Sequence, residues 1–212
     1  MNQQTQYKLP IQFFRVGGTC FSDQQIKDMV ARTNSKLTKN NVGITIEEVG
    51  STIHINKKEM AYVGAHHPED LTNPKTLELR ALLVNGQQTC ANKTLRVFLI
   101  KAELDQNYGA WTYDPINDDD LEGAIFITEL FNDNSDEAYE AQGYLASNDS
   151  LLHELGHVLM QEAKHFQGNS KNFFHEMAEA TDDSITTAQV KAMRGENTNR
   201  TSDAPNYLRP TP

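Results

Sequence analysis

Several features that would mark particular classes of protein are scarce or absent in this sequence of 212 residues. The two cysteines, Cys20 and Cys90, are too far apart for a CxxC-type metal site and allow at most one disulfide; two buried thiols are the alternative that we favour. No long apolar run is present and the mean hydropathy is −0.61, which excludes a transmembrane helix. Acidic residues outnumber basic ones by 29 to 19, and the net charge of −10 argues against nucleic acid or an anionic membrane surface as the main partner.

A recognisable secretory signal is also missing, because the apolar start "LPIQFFRV" contains Pro10, Gln12 and Arg15. The protein is therefore either intracellular or a mature form of a secreted protein. Of these two we expect the second, a secreted or extracellular protein, and we expect it to be a monomer. The length fits one sizeable core. We expect a single domain over residues 1–195, followed by a polar, disordered tail over residues 196–212.

Hydrophobic periodicity predicts a domain of the α/β (α+β) class. The segments "YKLPIQFFRV", "VGITIEEV", "TLRVFLIKAEL" and "GAIFITEL" have the composition of strands, and the third is the most suitable central strand. A helix is predicted over "SDQQIKDMVARTNSKL", with Ser22 as N-cap and Gln25 completing a capping box. Two further helices are expected in "TLELRALLVNG" and "SITTAQVKAMRG".

The segment from Ser150 to His165, "SLLHELGHVLMQEAKH", contains the pattern His-Glu-x-x-His, for which about 0.016 chance occurrences are expected at this composition. On a helix, His153 and His157 lie one turn apart, opposite a leucine stripe, and both can reach one zinc ion. Glu154 projects to the flank of the same face. Gly156 costs a helix about 1 kcal/mol relative to alanine, which indicates close approach of another backbone or a ligand.

Two imidazoles do not complete a catalytic zinc site, which normally has three protein ligands. If the helix continued, His165 would lie about 12 Å along the axis from His157, too far to share an ion. It can be a ligand only if the helix ends after about Met160 and the chain folds back. The downstream candidates for the third ligand are Glu162, His165, His175, Glu176 and Glu179.

The run "HELGHVLMQEAKHFQG", followed by "NFFHEMAEATDDSITTAQVKAMRG", resembles the catalytic end of the metzincin zinc peptidases. Those proteins have His-Glu-x-x-His-x-x-Gly-x-x-His, then a methionine-containing turn beneath the zinc and a C-terminal helix. Upstream, "LPIQFFRVGGTCFSDQQI", "TLRVFLI" and "GAIFITELF" are similar to metzincin strands and the first helix, and the N-terminal part is similar to the pappalysin and cytophagalysin branch. The resemblance spans most of residues 8–195. It implies a zincin-like catalytic domain with a twisted mixed sheet, an active-site helix and a C-terminal helix.

The sequence departs from the metzincin pattern at the third histidine. His165 arrives two residues late and Met160 stands where the family has glycine, so we interpret the difference as a two-residue insertion with His165 as third ligand. A solvated His165 is one alternative, and another zincin branch takes a glutamate from a second helix, which Glu176 or Glu179 would supply. For the methionine turn we favour Met177, although Phe174 occupies the methionine place of an Asn-x-Met pattern.

The resemblance implies a zinc-dependent endopeptidase in which Glu154 is the general base for a zinc-activated water. A protein or peptide substrate would pair with a cleft-edge strand in "NYGAWTY", where Gly109, Ala110 and Trp111 are the candidate substrate-binding residues; a hydrophobic edge loop is the alternative.

Two acidic loops, "DPINDDDLEG" and "NDNSDE", are candidates for structural calcium, but neither has EF-hand spacing and solvated turns are the interpretation that we favour. Two other functions remain open from the sequence. One is a zinc hydrolase acting on a non-protein substrate, and the other is a non-catalytic binding or effector module with a vestigial zinc site.

Overall fold

The structure is a computed structural model that describes residues 6–17, 19, 21–55, 94–102, 110–113, 124–130, 150–161, 164–168, 171–175, 184–196 and 207–211. Within these residues the elements follow the order β1 (Tyr7–Val16), α1 (Asp23–Lys39), β2 (Ile44–Glu48), β3 (Ile53–Ile55), β4 (Leu95–Ala102), β5 (Ala110–Tyr113), β6 (Ala124–Leu130), α2 (150–160), α3 (Thr187–Met193) and β7 (Arg209–Pro210). The predicted α/β class with a mixed sheet is confirmed.

The sheet has the strand order β2-β1-β4-β6-β5 and is mostly parallel. Strand β1 pairs in parallel with β4 on one edge, and on its other edge first with β2 and then with β3. Strand β6 continues the parallel sheet beyond β4, while β5 runs antiparallel to β6. The run "TLRVFLIKAEL" therefore supplies an interior strand, as its apolar composition predicts.

Both faces of the sheet centre are buried, because successive residues of a strand point to opposite sides. On one face, Phe14, Phe98 and Phe126 are register partners in three adjacent strands, and their rings stack with centroids 4.9 Å and 5.1 Å apart. The opposite face carries aliphatic residues such as Ile11 and Val97, which form one core with the apolar sides of α1 and α2. This packing fixes the rear face of α2 against the sheet.

Helix α1 begins as the sequence predicts. The Ser22 side chain accepts a hydrogen bond from the Gln25 backbone N–H, and the Gln25 side chain accepts one from the Ser22 backbone N–H, so the capping box is complete. Farther along, the Asn34 carboxamide bonds to both the N–H and the carbonyl of Ile46. These bonds satisfy backbone groups on the outer edge of β2.

The end of the chain differs from the sequence-based expectation. Tyr207 and Leu208 are buried, and Arg209–Pro210 pairs antiparallel with the start of β1, so a disordered tail is wrong for residues 207–211. The two apolar side chains join the core, which explains the order of this otherwise polar segment. The predicted helix in "TLELRALLVNG" lies outside the described residues. None of the described helices is long and apolar enough to cross a membrane.

Candidate metal centre

Helix α2 presents two different sides, as its sequence predicts. Its four leucines are buried in the core shared with the sheet: Leu151, Leu152, Leu155 and Leu159. His153 and His157 are only partly buried, whereas Glu154 between them is 4% exposed. The apolar side therefore anchors the helix, and the two imidazoles project from a fixed support.

Helix α2 ends at a position that allows His165 to return to it. The helical residues stop at Met160, and Gln161 adopts the left-handed conformation with φ 53°. This conformation reverses the chain at the helix end, a position that usually favours glycine. The reversal brings His165 back to α2, with its ring centroid 5.0 Å from that of His157.

The rings of His153, His157 and His165 form a nearly equilateral triangle, with centroids 5.2 Å, 5.1 Å and 5.0 Å apart. One nitrogen of each ring lies within 4.8 Å of the corresponding nitrogens of the other two. The Nε2 atoms of His153 and His165 are 3.2 Å apart. Within the described residues, this is the group of side chains whose geometry can hold a metal ion.

A hydrogen bond to the backbone fixes the orientation of the His153 ring. Its Nδ1 lies 2.9 Å from the carbonyl oxygen of Phe173, an acceptor, so the ring carries its proton on Nδ1 and turns a lone pair at Nε2 toward the other histidines. Burial lowers the pKa of His153 to about 4, the Phe173 carbonyl partly opposes this shift, and the neighbouring histidines add to it. At neutral pH the His153 ring is therefore uncharged, and its Nε2 has a lone pair that can bind a metal ion.

The donor set fits zinc. Zinc accepts imidazole nitrogen at about 2.0–2.1 Å in tetrahedral geometry, which places two ligand nitrogens roughly 3.3–3.4 Å apart. The 3.2 Å between the Nε2 atoms of His153 and His165 is close to this separation. Bound by these three histidines, a zinc ion would keep a position for water or substrate, as catalytic zinc sites do.

An aromatic ring forms the base of the triad. The ring centroid of Phe174 lies 5.5 Å, 4.5 Å and 6.0 Å from those of His153, His157 and His165. A Cβ on Gly156 would lie 2.8 Å from Cδ2 of Phe174, so the missing side chain makes room for this ring. The partner that approaches Gly156 is thus a side chain, not the backbone or ligand that the sequence suggested.

The remaining predicted site residues are placed only in part. Ala110 and Trp111 lie in β5, the last strand in the sheet order, and no other described strand pairs with its far edge. The other candidates lie outside the described residues: Gly109, Glu162, Glu176, Met177, Glu179, both cysteines and the two acidic loops. Sequence reasoning missed the Phe173 carbonyl as the partner of His153, since a backbone acceptor leaves no signature in residue type.

No protein-family model matches the sequence, and no curated protein is similar to it. Among solved structures, the chain is similar to archaemetzincin from Methanopyrus kandleri, with a TM-score of 0.47, 12% identity, and 87% of this chain and 94% of that chain covered. It is also similar to metalloproteinase-II from Bacteroides fragilis, with a TM-score of 0.45, 14% identity, and coverage of 91% and 54%. A chaperone–substrate complex has a TM-score of 0.44 and 13% identity, with coverage of 78% and 25%. This chain thus spans about half of the second protein and a quarter of the third, and none of the three assigns it an activity.

We expect Gly156→Ala to destabilise the protein by about 1–3 kcal/mol, because the new methyl group would overlap the rings of Phe173 and Phe174. Helix propensity alone predicts the opposite sign, a gain of about 1 kcal/mol. Chemical denaturation of both proteins measures the difference. In a Phe174→Leu background the same change should cost less, since the smaller side chain gives way. Stabilisation by Gly156→Ala would show that the contact is not tight.

We expect the metal-free protein to lose stability as the pH falls from about 6.5 to about 4. In this window His153 binds a proton in the unfolded chain but not in the folded one, because burial lowers its pKa from 6.5 to about 4. At about 1.4 kcal/mol per pH unit, the loss from this group is at most about 3 kcal/mol. Denaturation at several pH values measures it, with His153→Gln as control. An equal pH dependence in the control would contradict the assignment.

Proposed function

We propose that the chain is a zinc-dependent endopeptidase of the metzincin type. The observation that carries the proposal is the convergence of three imidazole nitrogens, from His153, His157 and His165. Glu154, the residue that follows His153, is buried. Two of the histidines and the glutamate come from one helix, and the third comes from the chain reversal that follows it. Membership of the pappalysin and cytophagalysin branch stays a prediction.

The three histidines are the zinc ligands in this proposal. Their support is the short separation of the Nε2 atoms, the low pKa of His153 and the single proton position that the Phe173 carbonyl selects. Zinc bound to three protein ligands supplies Lewis acidity at its open position, where it lowers the pKa of water toward about 7 and polarises a carbonyl. No other described side chains offer a comparable set of donors.

Glu154 is the general base. It directly follows His153 on α2, about 100° farther around the helix, so its carboxylate flanks the imidazole face rather than joining the ligand set. There it takes the proton of the attacking water and returns it to the leaving amine of the peptide. Glu154 is 4% exposed, so bulk water has little access to this residue.

An extended peptide is the substrate class that the sheet supports best. Strand β5 runs antiparallel to β6, with Ala110 opposite Ile127 and Trp111 opposite Phe126. Its far edge pairs with no other described strand and can accept a peptide as an added antiparallel or parallel strand. Backbone hydrogen bonds of this kind hold a peptide in extended form without selecting its side chains.

We expect His165→Ala to lose stoichiometric zinc, because two imidazoles on one helix do not complete the ligand set. The matched control is His175→Ala, which removes a partly buried histidine ten residues away that does not belong to the group of three. Elemental analysis after gel filtration measures the metal content of both variants. Equal zinc in both would exclude His165 as a ligand and leave the glutamates downstream as candidates.

We expect Glu154→Gln to retain zinc and to lose peptide cleavage by a factor of about 10² to 10⁴, because the amide cannot accept the proton of the attacking water. Cleavage of a mixed peptide library measures the rate, and elemental analysis verifies that the metal is present. Unchanged cleavage would exclude Glu154 as the base. Zinc binding without cleavage of any peptide in the wild type would instead favour a non-protein substrate or a binding module.

A further inference from the structure

We propose that Asn172 and Gln189 are positioning residues for the histidine triad, acting through the backbone of the segment 171–175. Neither side chain touches a histidine in any contact described for the site. The inference rests on the proposed zinc site, because it assigns these two amides the task of holding the groups that orient the zinc ligands.

The two side chains form a closed pair of hydrogen bonds. The Nδ2 of Asn172 donates to Oε1 of Gln189 at 2.8 Å, and the Nε2 of Gln189 donates to Oδ1 of Asn172 at 2.9 Å. Asn172 is 1% exposed and Gln189 is 8% exposed, so water cannot readily replace either partner. A buried amide pair with satisfied donors and acceptors fixes a single geometry, and losing one member is costly.

The pair is connected to two of the three histidines through the main chain. The Oδ1 of Asn172 also accepts a hydrogen bond from the N–H of Phe174 at 3.0 Å, which sets the turn that contains Phe173. The carbonyl of Phe173 accepts from Nδ1 of His153, and the carbonyl of Phe174 accepts from the N–H of Phe166 at 2.9 Å. The residue before Phe166 is His165. The Asn172 carboxamide thereby positions two backbone carbonyls. One is that of Phe173, which accepts from His153, and the other is that of Phe174, which accepts from the residue after His165.

On its other side, the pair is fixed to the start of α3. Gln189 is the third residue of this helix and completes a capping box with Thr186, whose backbone N–H donates to Oε1 of Gln189 at 2.9 Å. Ile185 donates to Oδ1 of Asn40 at the end of α1, at 3.1 Å. The segment 171–175 is therefore joined, through α3, to the first helix of the domain.

The same helix is held at its other end by Arg194. The guanidinium donates to the carbonyls of Val42 and Asn41 at 2.5 Å and 3.0 Å. Both carbonyls belong to the turn between α1 and β2. With both ends of α3 attached to the N-terminal part of the fold, Gln189 offers a fixed point for Asn172.

The test compares Asn172→Leu and Gln189→Ala with Gln25→Ala. Gln25 is the matched control, because it is also the buried third residue of a helix and completes a capping box, at 6% exposure. It lies in α1, and its partner in the capping box is Ser22. Zinc affinity is measured by chelator competition well below the midpoint of thermal unfolding, which is recorded for each variant. In the metal-free proteins, ¹⁵N NMR of the imidazoles reports which nitrogen of His153 carries the proton.

We expect Asn172→Leu to weaken zinc binding about 10- to 100-fold, the usual effect of removing a group that orients metal ligands, and Gln189→Ala to weaken it less. In both variants His153 should lose its preference for the Nδ1 proton. Gln25→Ala should lower the unfolding midpoint but keep the affinity and the proton position. If Asn172→Leu does not fold, the comparison of Gln189→Ala with Gln25→Ala decides.

Two results would overturn the inference, and they are distinct from failure of the proposed function. The first is wild-type zinc affinity and an unchanged His153 proton position in both site variants; the second is an equal loss of affinity in Gln25→Ala, which indicates general destabilisation. If the wild type binds no zinc, the proposed function fails. The proton position of His153 then tests the positioning role by itself.

Discussion

The contact between the ring of Phe174 and the backbone of Gly156 determines how closely the segment 171–175 approaches helix α2, which carries His153 and His157. Any side chain at residue 156 would move the ring, and with it the backbone that carries the acceptor for His153. The ring also packs against all three imidazoles, with its centroid 4.5 to 6.0 Å from theirs. Desolvation is the main reason that the pKa of His153 is low, and the low pKa keeps its nitrogen available to a cation rather than to a proton. Packing and metal chemistry are thus set by one contact.

The sheet gives this contact a rigid reference. The leucines of α2 pack in the same core as the aliphatic face of β1 and β4, while three stacked phenylalanines bury the other face of these strands. A helix held in this way cannot rotate without exposing apolar area, at roughly 25 cal/mol per Å². The direction of His153 and His157 therefore follows from the burial of residues on the opposite side of their own helix.

Local patterns predicted the elements whose causes are local. The capping box of Ser22 and Gln25, the apolar run of β4 and the two-sided α2 all depend on neighbours within one or two turns, and the structure has them where the sequence indicates. Strand β7 could not be found in this way, because Arg209 pairs with Lys8 across nearly the whole chain and its own segment is polar. The Asn172–Gln189 pair and the Phe173 acceptor were missed because they arise from tertiary contacts and from the main chain, which single-residue chemistry does not reveal.

The late arrival of His165 has a structural explanation in where the chain reverses. Relative to the His-x-x-Gly-x-x-His spacing that the sequence resembles, the left-handed residue is Gln161 instead of residue 160, and three residues rather than two lie between it and the histidine. Of the two additional residues, one thus extends helix α2 and the other lengthens the segment between Gln161 and His165. A left-handed residue other than glycine costs about 1–2 kcal/mol, so this turn needs support from elsewhere. The hydrogen bond from Phe166 to Phe174, directly after His165, provides it by tying the returning chain to the segment beneath the triad. What matters for bringing a third histidine to such a helix is a reversal at its end, and glycine is only the residue that makes it least costly.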